Sequence, residues 1–276
     1  MNKLGMNKLG MSKVRLSELT GGEAREVLAR RPVILLPLGS QEDQGPHAPM
    51  GDYLSADAVA ARIAAAATAA GTETLVAPVL PFGGADYFGT MPGGIALGQA
   101  TLRAVLTDIF GCLLRHDLDR LIVINGHGGN VQAIHDTTQE IYRAQKVLIP
   151  SLYLWRMAYA LLPELRGKEV AAKSAGHGGD PLTSVAYHLF PDTCRPDLAP
   201  AGPIRQEVLG LPVSNFGAVK FQGVEVQVPV ELDELAPNGV WHADPKLCTA
   251  EAGAAIVDRL VAIGAAFVAH HKGRLA

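Results

Sequence analysis

Apolar residues fall in short unbroken runs along this chain, and each run opens into a polar stretch rich in glycine or proline. Val33-Ile-Leu-Leu36, Thr74-Leu-Val-Ala77 and Leu121-Ile-Val-Ile124 are such runs. Short apolar runs bounded by turn residues predict strands buried on both faces, as in a parallel sheet. Between the runs the period becomes helical. Ser55 is a good N-cap for a helix over 56–70, closed by Gly71. Leu102, Val105, Leu106, Ile109, Leu113 and Leu114 predict a second helix, ending near His116. Val131 to about Ala144 and Thr183 to Leu189 predict two more. Residues 249–271 read as a closing helix, with Thr249 as cap, Glu251 in the first turns and apolar positions at 256, 260, 263 and 267. Val147 to Leu154 is strand-like but carries Pro150, which predicts an edge strand or two pieces. Val224 to Val230 alternates as a strand does. Strands alternating with helices predict an α/β fold of three layers, α/β/α, with a mainly parallel sheet. A loose tail over 1–13 and a single domain over 14–276 account for the whole length.

Composition narrows the function classes. Hydrophobic residues are 48% of the 276 and charged residues 18%, which excludes disorder over most of the chain. The formal net charge is −3 and no basic stripe is present, so nucleic acid has no support as a partner. Cys112, Cys194 and Cys248 are scattered without CxxC spacing. That argues against a disulfide framework or a structural zinc knuckle and points to a reducing, cytoplasmic setting. Cys112 lies within an apolar helical pattern and reads as core. The N-terminus lacks the apolar centre of a signal peptide, and no apolar run has bilayer length, so no membrane partner is expected.

Candidate chemistry sits after the runs, where open α/β sheets bind ligands. The Leu121 run ends in Asn125-Gly126-His127-Gly128-Gly129-Asn130, an imidazole presented between two amides. The Val33 run ends in a segment holding Glu42, Gln44, His47 and Asp52. Neighbouring parallel strands would bring Glu42, Asp52 and His127 to one edge. Two carboxylates and an imidazole suit a divalent ion such as zinc, manganese or iron(II). Such an ion with an open position acidifies water and polarises a carbonyl, which suggests hydrolysis. The alternative is a solvated acidic loop and a capping histidine. A third cluster, Ser174-Ala-Gly-His177-Gly-Gly-Asp180, offers His177 as general acid or base and Asp180 to orient it or bind metal. Its alternative is a glycine turn whose Asp caps the next helix. Asp86-Tyr87-Phe88, Trp155 and Trp241 are candidates for shaping a pocket, with core packing the alternative for the tryptophans. The glycine-rich turns match neither the P-loop nor the dinucleotide fingerprint.

Together these residues resemble the creatininase (creatinine amidohydrolase) family. Pro37-Leu-Gly-Ser-Gln-Glu-Asp-Gln-Gly-Pro-His-Ala-Pro49 is similar to its signature, usually GS-x-E-Q-H-G-P-H-L-P, and Asn125–Asn130 to its second signature. Pro92-Gly-Gly-Ile95 resembles its PGT-I segment, and Ser174-Ala-Gly onward its HAG…ETS segment. The similarity runs from about residue 30 to 270. It implies a three-layer α/β/α fold, a divalent-metal amidohydrolase cleaving the C–N bond of a small, often cyclic, amide, and a homo-oligomer, commonly a hexamer. It implies that Glu42 and His127 bind one metal. The family's shared aspartate aligns with Tyr53, with Asp52 one residue earlier. The signature's histidine ligand is Gln44 here, and the glutamate two after the NGH histidine is Gly129. Ser174 stands for the HAG histidine and Leu182 for the glutamate before Thr-Ser. The ligands specific to a second metal are thus replaced, so one metal per subunit on Glu42, Asp52 and His127 is expected, with His177 and Asp180 catalytic. Gln44, His47, Tyr53, Asp86, Tyr87, Gly128, Gly129, Asn130 and Trp241 are the expected substrate-binding residues. The replaced ligands keep open a metal-free pseudoenzyme or binding protein, and a metal-dependent lyase or isomerase.

Overall fold

The structure is a computed structural model that describes residues 13–201, 207–215 and 217–274. The tail expected over 1–13 lies outside the described residues except for Lys13. Thr20 and Glu23 form a reciprocal capping box that starts α1 (Gly21–Leu28). The apolar runs then form strands separated by helices: β1 (Val33–Leu38), α2 (Tyr53–Ala69), β2 (Thr74–Val76), α3 (Gln99–Leu114), β3 (Leu121–Asn125), α4 (Val131–Gln145) and β4 (Ser151–Tyr153). Their order in the sheet is β2-β1-β3-β4, with every pairing parallel.

Strand alternation divides the core between the two faces. Val33, Leu35, Ile122 and Ile124 pack on Ala56, Val59, Ala60 and Ile63 of α2 and on Ile256 and Leu260 near the C-terminus. Ile34, Leu36, Leu38 and Val123 pack on Leu102, Leu106 and Phe110 of α3 and on Ile134 of α4. The expected three-layer α/β fold is therefore present.

The 147–154 segment contributes a short edge strand. Pro150 precedes it and accepts the Val123 N–H at 2.9 Å. The chain turns directly into α5 (Leu154–Arg166), α6 (Lys168–Ser174) and α7 (Leu182–Leu189). A small antiparallel sheet follows, in the order β5 (Glu207–Val208), β6 (Leu211–Asn215), β7 (Ala218–Phe221), β8 (Val224–Gln227). Only its last strand was expected from the alternation. Then come α8 (Leu232–Leu235) and α9 (Ala250–Arg274).

Three expectations are corrected. α2 begins at Tyr53, and Ser55 is buried inside it. The residue at its N-cap is Asp52, whose carboxylate turns away to Ser40 N and His127 instead of capping. Cys112 is exposed, because the buried stripe of α3 runs through Leu102, Leu106 and Phe110 and leaves it on the outer side. Ala250–Gly273 of α9 holds an 18-residue window of mean hydropathy 1.8 and is long and apolar enough to cross a membrane by length and composition. Asp258 and Arg259 interrupt its apolar run in the sequence. The helix packs against α2, α5 and α7 as a core element. The Thr249 cap is present, accepting the Ala252 N–H at 3.1 Å.

Candidate metal centre

Leu38 and Asn125, the last residues of β1 and β3, are paired in register, and Gly126 N donates to Leu38 O at 2.8 Å. The two polar segments therefore leave the sheet side by side. Asn125 folds its side chain over the turn, accepting from His127 N and donating to His127 O. Asn130 ties three segments together: it donates to Gly39 O and Asn125 Oδ1 and accepts from Gly84 N. Gly129 is required by close approach, since a Cβ there would sit 2.1 Å from Gly84 O.

This frame converges Glu42, Asp52 and His127. All three are buried, and one ligand atom from each lies within 4.8 Å of the others. His127 Nδ1 is 3.0 Å from Asp52 Oδ2 and 3.3 Å from Glu42 Oε1. Its Nε2 is 3.0 Å from Gly84 O, a carbonyl that can only accept. The Nε2–H is thereby fixed, and Nδ1 is left facing two carboxylates. Asp52 is held in turn by Ser40 N at 2.7 Å.

His177 reaches Glu42 from the 174–180 loop. Its loop is closed by the Ala175–Asp180 bridge, and His177 O accepts from Trp241 N at 3.0 Å. Its Nδ1 donates to Gly239 O at 2.8 Å, and Nε2 lies 3.5 Å from Glu42 Oε1. Gly178, at φ +69, makes the turn beside it, where a Cβ would meet Val240 Cγ2 at 2.7 Å. His47 braces this loop: its buried Nε2 donates to Gly178 O at 2.8 Å.

The electrostatics follow from burial and crowding. Burial pushes Asp52 up to about 6, against the pull of His127. Burial also favours neutral Glu42, but the charge and hydrogen bonds of His127, with His177, hold it well below the usual carboxylate range. For His127, burial opposes the charge and is outweighed by Glu42 and Asp52, which hold it well above 6.5. His177 is raised, as Glu42 outweighs its burial.

A cavity of about 100 Å³ opens onto these groups. Glu42, Gln44, Asp52, His127, Gly128 and His177 line it, and its aromatic walls are Tyr87, Tyr153, Trp155 and Tyr159. The Tyr87 ring lies 5.4 Å from that of His127, and the Phe88 ring lies tilted 4.5 Å from that of His177. Several expected residues fall elsewhere. Asp180 is buried behind the loop, where it accepts from Ser184 and lies 3.3 Å from Arg166 Nε. Tyr53 packs on Gly51, and Asp86 is exposed. Trp241 packs with Phe88, Leu232 and Leu235. His47, Gly129 and Asn130 build the frame without lining the cavity. Tyr153, Tyr159, Pro181 and Leu182 do line it and were not expected. Tyr153 ends a parallel strand, the position where ligands are met, and that signal was available once β4 was bounded.

The family profile described as creatinine amidohydrolase matches residues 17–268. The chain belongs to the creatininase family. Among its relatives, a mycofactocin precursor peptide peptidase from Mycobacterium ulcerans (strain Agy99) is 29% identical, over 88% of this chain and 87% of the relative. A creatinine amidohydrolase from Pseudomonas putida is 33% identical, over 62% of this chain and 68% of the relative. A manganese creatininase and a mutant creatininase of Zn-Zn type each superpose with TM-score 0.72 at 26% identity, over 94% of this chain and 99% of theirs. This creatininase-family amidohydrolase thus shares its fold with zinc and manganese proteins.

The donor set fits a divalent cation. The carboxylates and imidazole are of the types that zinc and manganese take. Glu42 Oε2 is buried and has no hydrogen-bond partner among the described residues, and the Gly84 carbonyl has already set the His127 tautomer that leaves Nδ1 for a cation.

Proposed function

We propose that this chain hydrolyses the C–N bond of a small amide with one divalent cation per subunit, zinc, manganese or iron, held by Glu42, Asp52 and His127. The observation that carries the reading is the orientation of His127, with Nε2 committed to Gly84 O and Nδ1 turned to both carboxylates. A cation bound there supplies Lewis acidity, activating water and polarising an amide carbonyl.

The chain's own residues supply the rest. His177, oriented by Gly239 O, is the group that carries a proton between water and the leaving nitrogen. Asp180 acts behind it, anchoring the loop to Ser184 and Arg166. Tyr87, Tyr153, Trp155 and Tyr159 line the cavity and offer flat faces to a planar amide. Among the described residues no lysine or arginine lines the cavity, which favours an uncharged or cationic substrate over a carboxylate. The cysteine usage favours the cytoplasm, and the family resemblance favours a homo-oligomer.

The test is elemental analysis of the wild type beside His127→Ala, followed by a panel of cyclic amides, ureas and formamides read by mass spectrometry. The expected result is about one divalent ion per wild-type chain, none in the variant, and products whose masses together exceed the substrate's by one water, in a single ring-opened product where the amide is cyclic. Full metal content in His127→Ala sinks the ligand assignment. A product of unchanged mass favours isomerase chemistry.

A further inference from the structure

Gln44 has one end of its amide committed and the other open. Its Nε2 donates to Glu42 Oε1 at 2.8 Å. An ionised carboxylate only accepts, so this contact identifies which end of the amide is nitrogen. The other end is a carbonyl oxygen, buried, with no hydrogen-bond partner among the described residues. Gln44 is 1% exposed and lines the cavity together with Glu42 and His177. A buried acceptor without a donor is costly inside a protein, and a ligand that brings the donor relieves that cost. Glutamine is also a poor ligand for a transition metal, so this side chain adds recognition and not a second cation.

We propose that Gln44 Oε1 accepts the N–H of the substrate, so that the site takes primary and secondary amides and discriminates against fully N-substituted ones. The inference rests on the hydrolase reading above and names the substrate class that this reading leaves open. The side chain supplies discrimination because the analogue lacking the N–H leaves the buried carbonyl unpaired. Glu42 gains as well, since the same amide plane that reads the substrate also fixes Oε1 of the carboxylate.

Acetohydroxamic acid and N-methylacetohydroxamic acid test it. Both chelate zinc through two oxygens, and they differ in that a methyl replaces the N–H; a preference due to the methyl's bulk alone survives Gln44→Met. Their affinities are measured by calorimetry on zinc-loaded wild type, Gln44→Met and Gln44→Glu, with zinc content determined for each. The expected wild-type preference for the N–H compound is about tenfold. Gln44→Met brings it to within about twofold, and Gln44→Glu, which keeps an acceptor, retains it. Gln44→Leu replaces Gln44→Met if that variant loses its fold or its zinc. A zinc-loaded wild type that binds both equally, or binds neither, overturns the inference, as does a preference that survives Gln44→Met. A wild type that takes up no zinc is loaded with manganese or iron(II) and compared in the same way, and one that takes up none of the three overturns the hydrolase reading instead.

Discussion

His127 Nδ1 stands 3.0 Å from Asp52 Oδ2, although 75 residues separate the two in the chain. Asp52 is pinned by Ser40 N and His127 by Gly84 O, so neither side chain is free to leave the other. Asp52→Asn removes one anionic donor while keeping the shape. The expected outcome is a zinc affinity lower by about 100-fold or more with the fold intact, read by competition with a chromophoric chelator and by circular dichroism. Undiminished affinity would take Asp52 out of the ligand set.

Proton bookkeeping gives a second test. In metal-free protein His127 is held well above 6.5, because Glu42 and Asp52 outweigh its burial. A ligand imidazole must be neutral. Zinc uptake near neutral pH therefore expels the His127 proton, and apparent affinity climbs as pH rises and falls on acidification. Calorimetry in buffers of different ionisation heats checks this. A binding enthalpy independent of the buffer contradicts it.

Asn130 is the structural knot of the frame. Asn130→Ala strands the Gly84 N–H and the Gly39 carbonyl. The expected loss of stability is about 3 kcal/mol from two buried groups left unpaired, measured by urea unfolding. A loss below about 0.5 kcal/mol, the scale of ordinary surface substitutions, would show that the clamp is dispensable.

The segment carrying Tyr87 and Phe88 is tied to α8 through Thr90 and Asp233. Asp233 Oδ2 accepts from Thr90 N at 3.0 Å and from Thr90 Oγ1 at 2.5 Å. Thr90→Val removes the hydroxyl bond and frees this segment without touching Glu42, Asp52 or His127. The expected effect is a KM higher by severalfold at unchanged metal content, once a substrate is in hand. Steady-state kinetics alongside elemental analysis decides it.

Asp180 separates a catalytic from an anchoring role. Its carboxylate is buried against Ser184 and Arg166 and does not line the cavity. Asp180→Asn should lower the melting temperature while leaving the zinc content of folded protein unchanged. Loss of activity without loss of stability would return Asp180 to the chemistry.

The strand-then-turn pattern made much of this legible. Val33–Leu36 and Leu121–Ile124 had to be neighbouring buried strands for Glu42 and His127 to meet, and they are. Asp52 was within reach of the sequence because carboxylates near position 42 were few. The aromatic walls were harder to see. Tyr153 and Tyr159 flank a junction where a short edge strand becomes a helix without a turn, and Trp155, Ala158 and Leu162 blur that change of period. Of the antiparallel strands only β8 shows in the sequence, through its alternation; β5 has two residues and β6 none that is buried, so neither carries a buried face to read. A carboxylate three residues after a histidine in sequence looks like its partner, whereas the loop sends Asp180 to Ser184 and Arg166 and His177 to Gly239 O and Glu42.

The contact of Gly129 with Gly84 O has a practical reach. An engineer who wishes to install a dinuclear centre cannot begin with a carboxylate at position 129, because the carbonyl 2.1 Å from its first side-chain atom is also the one that orients His127. Rerouting the 83–85 backbone must come first, and that surgery would unseat the very imidazole the new ion needs. The exclusion of a carboxylate from position 129 is thus written in main chain, beyond the reach of point mutation there.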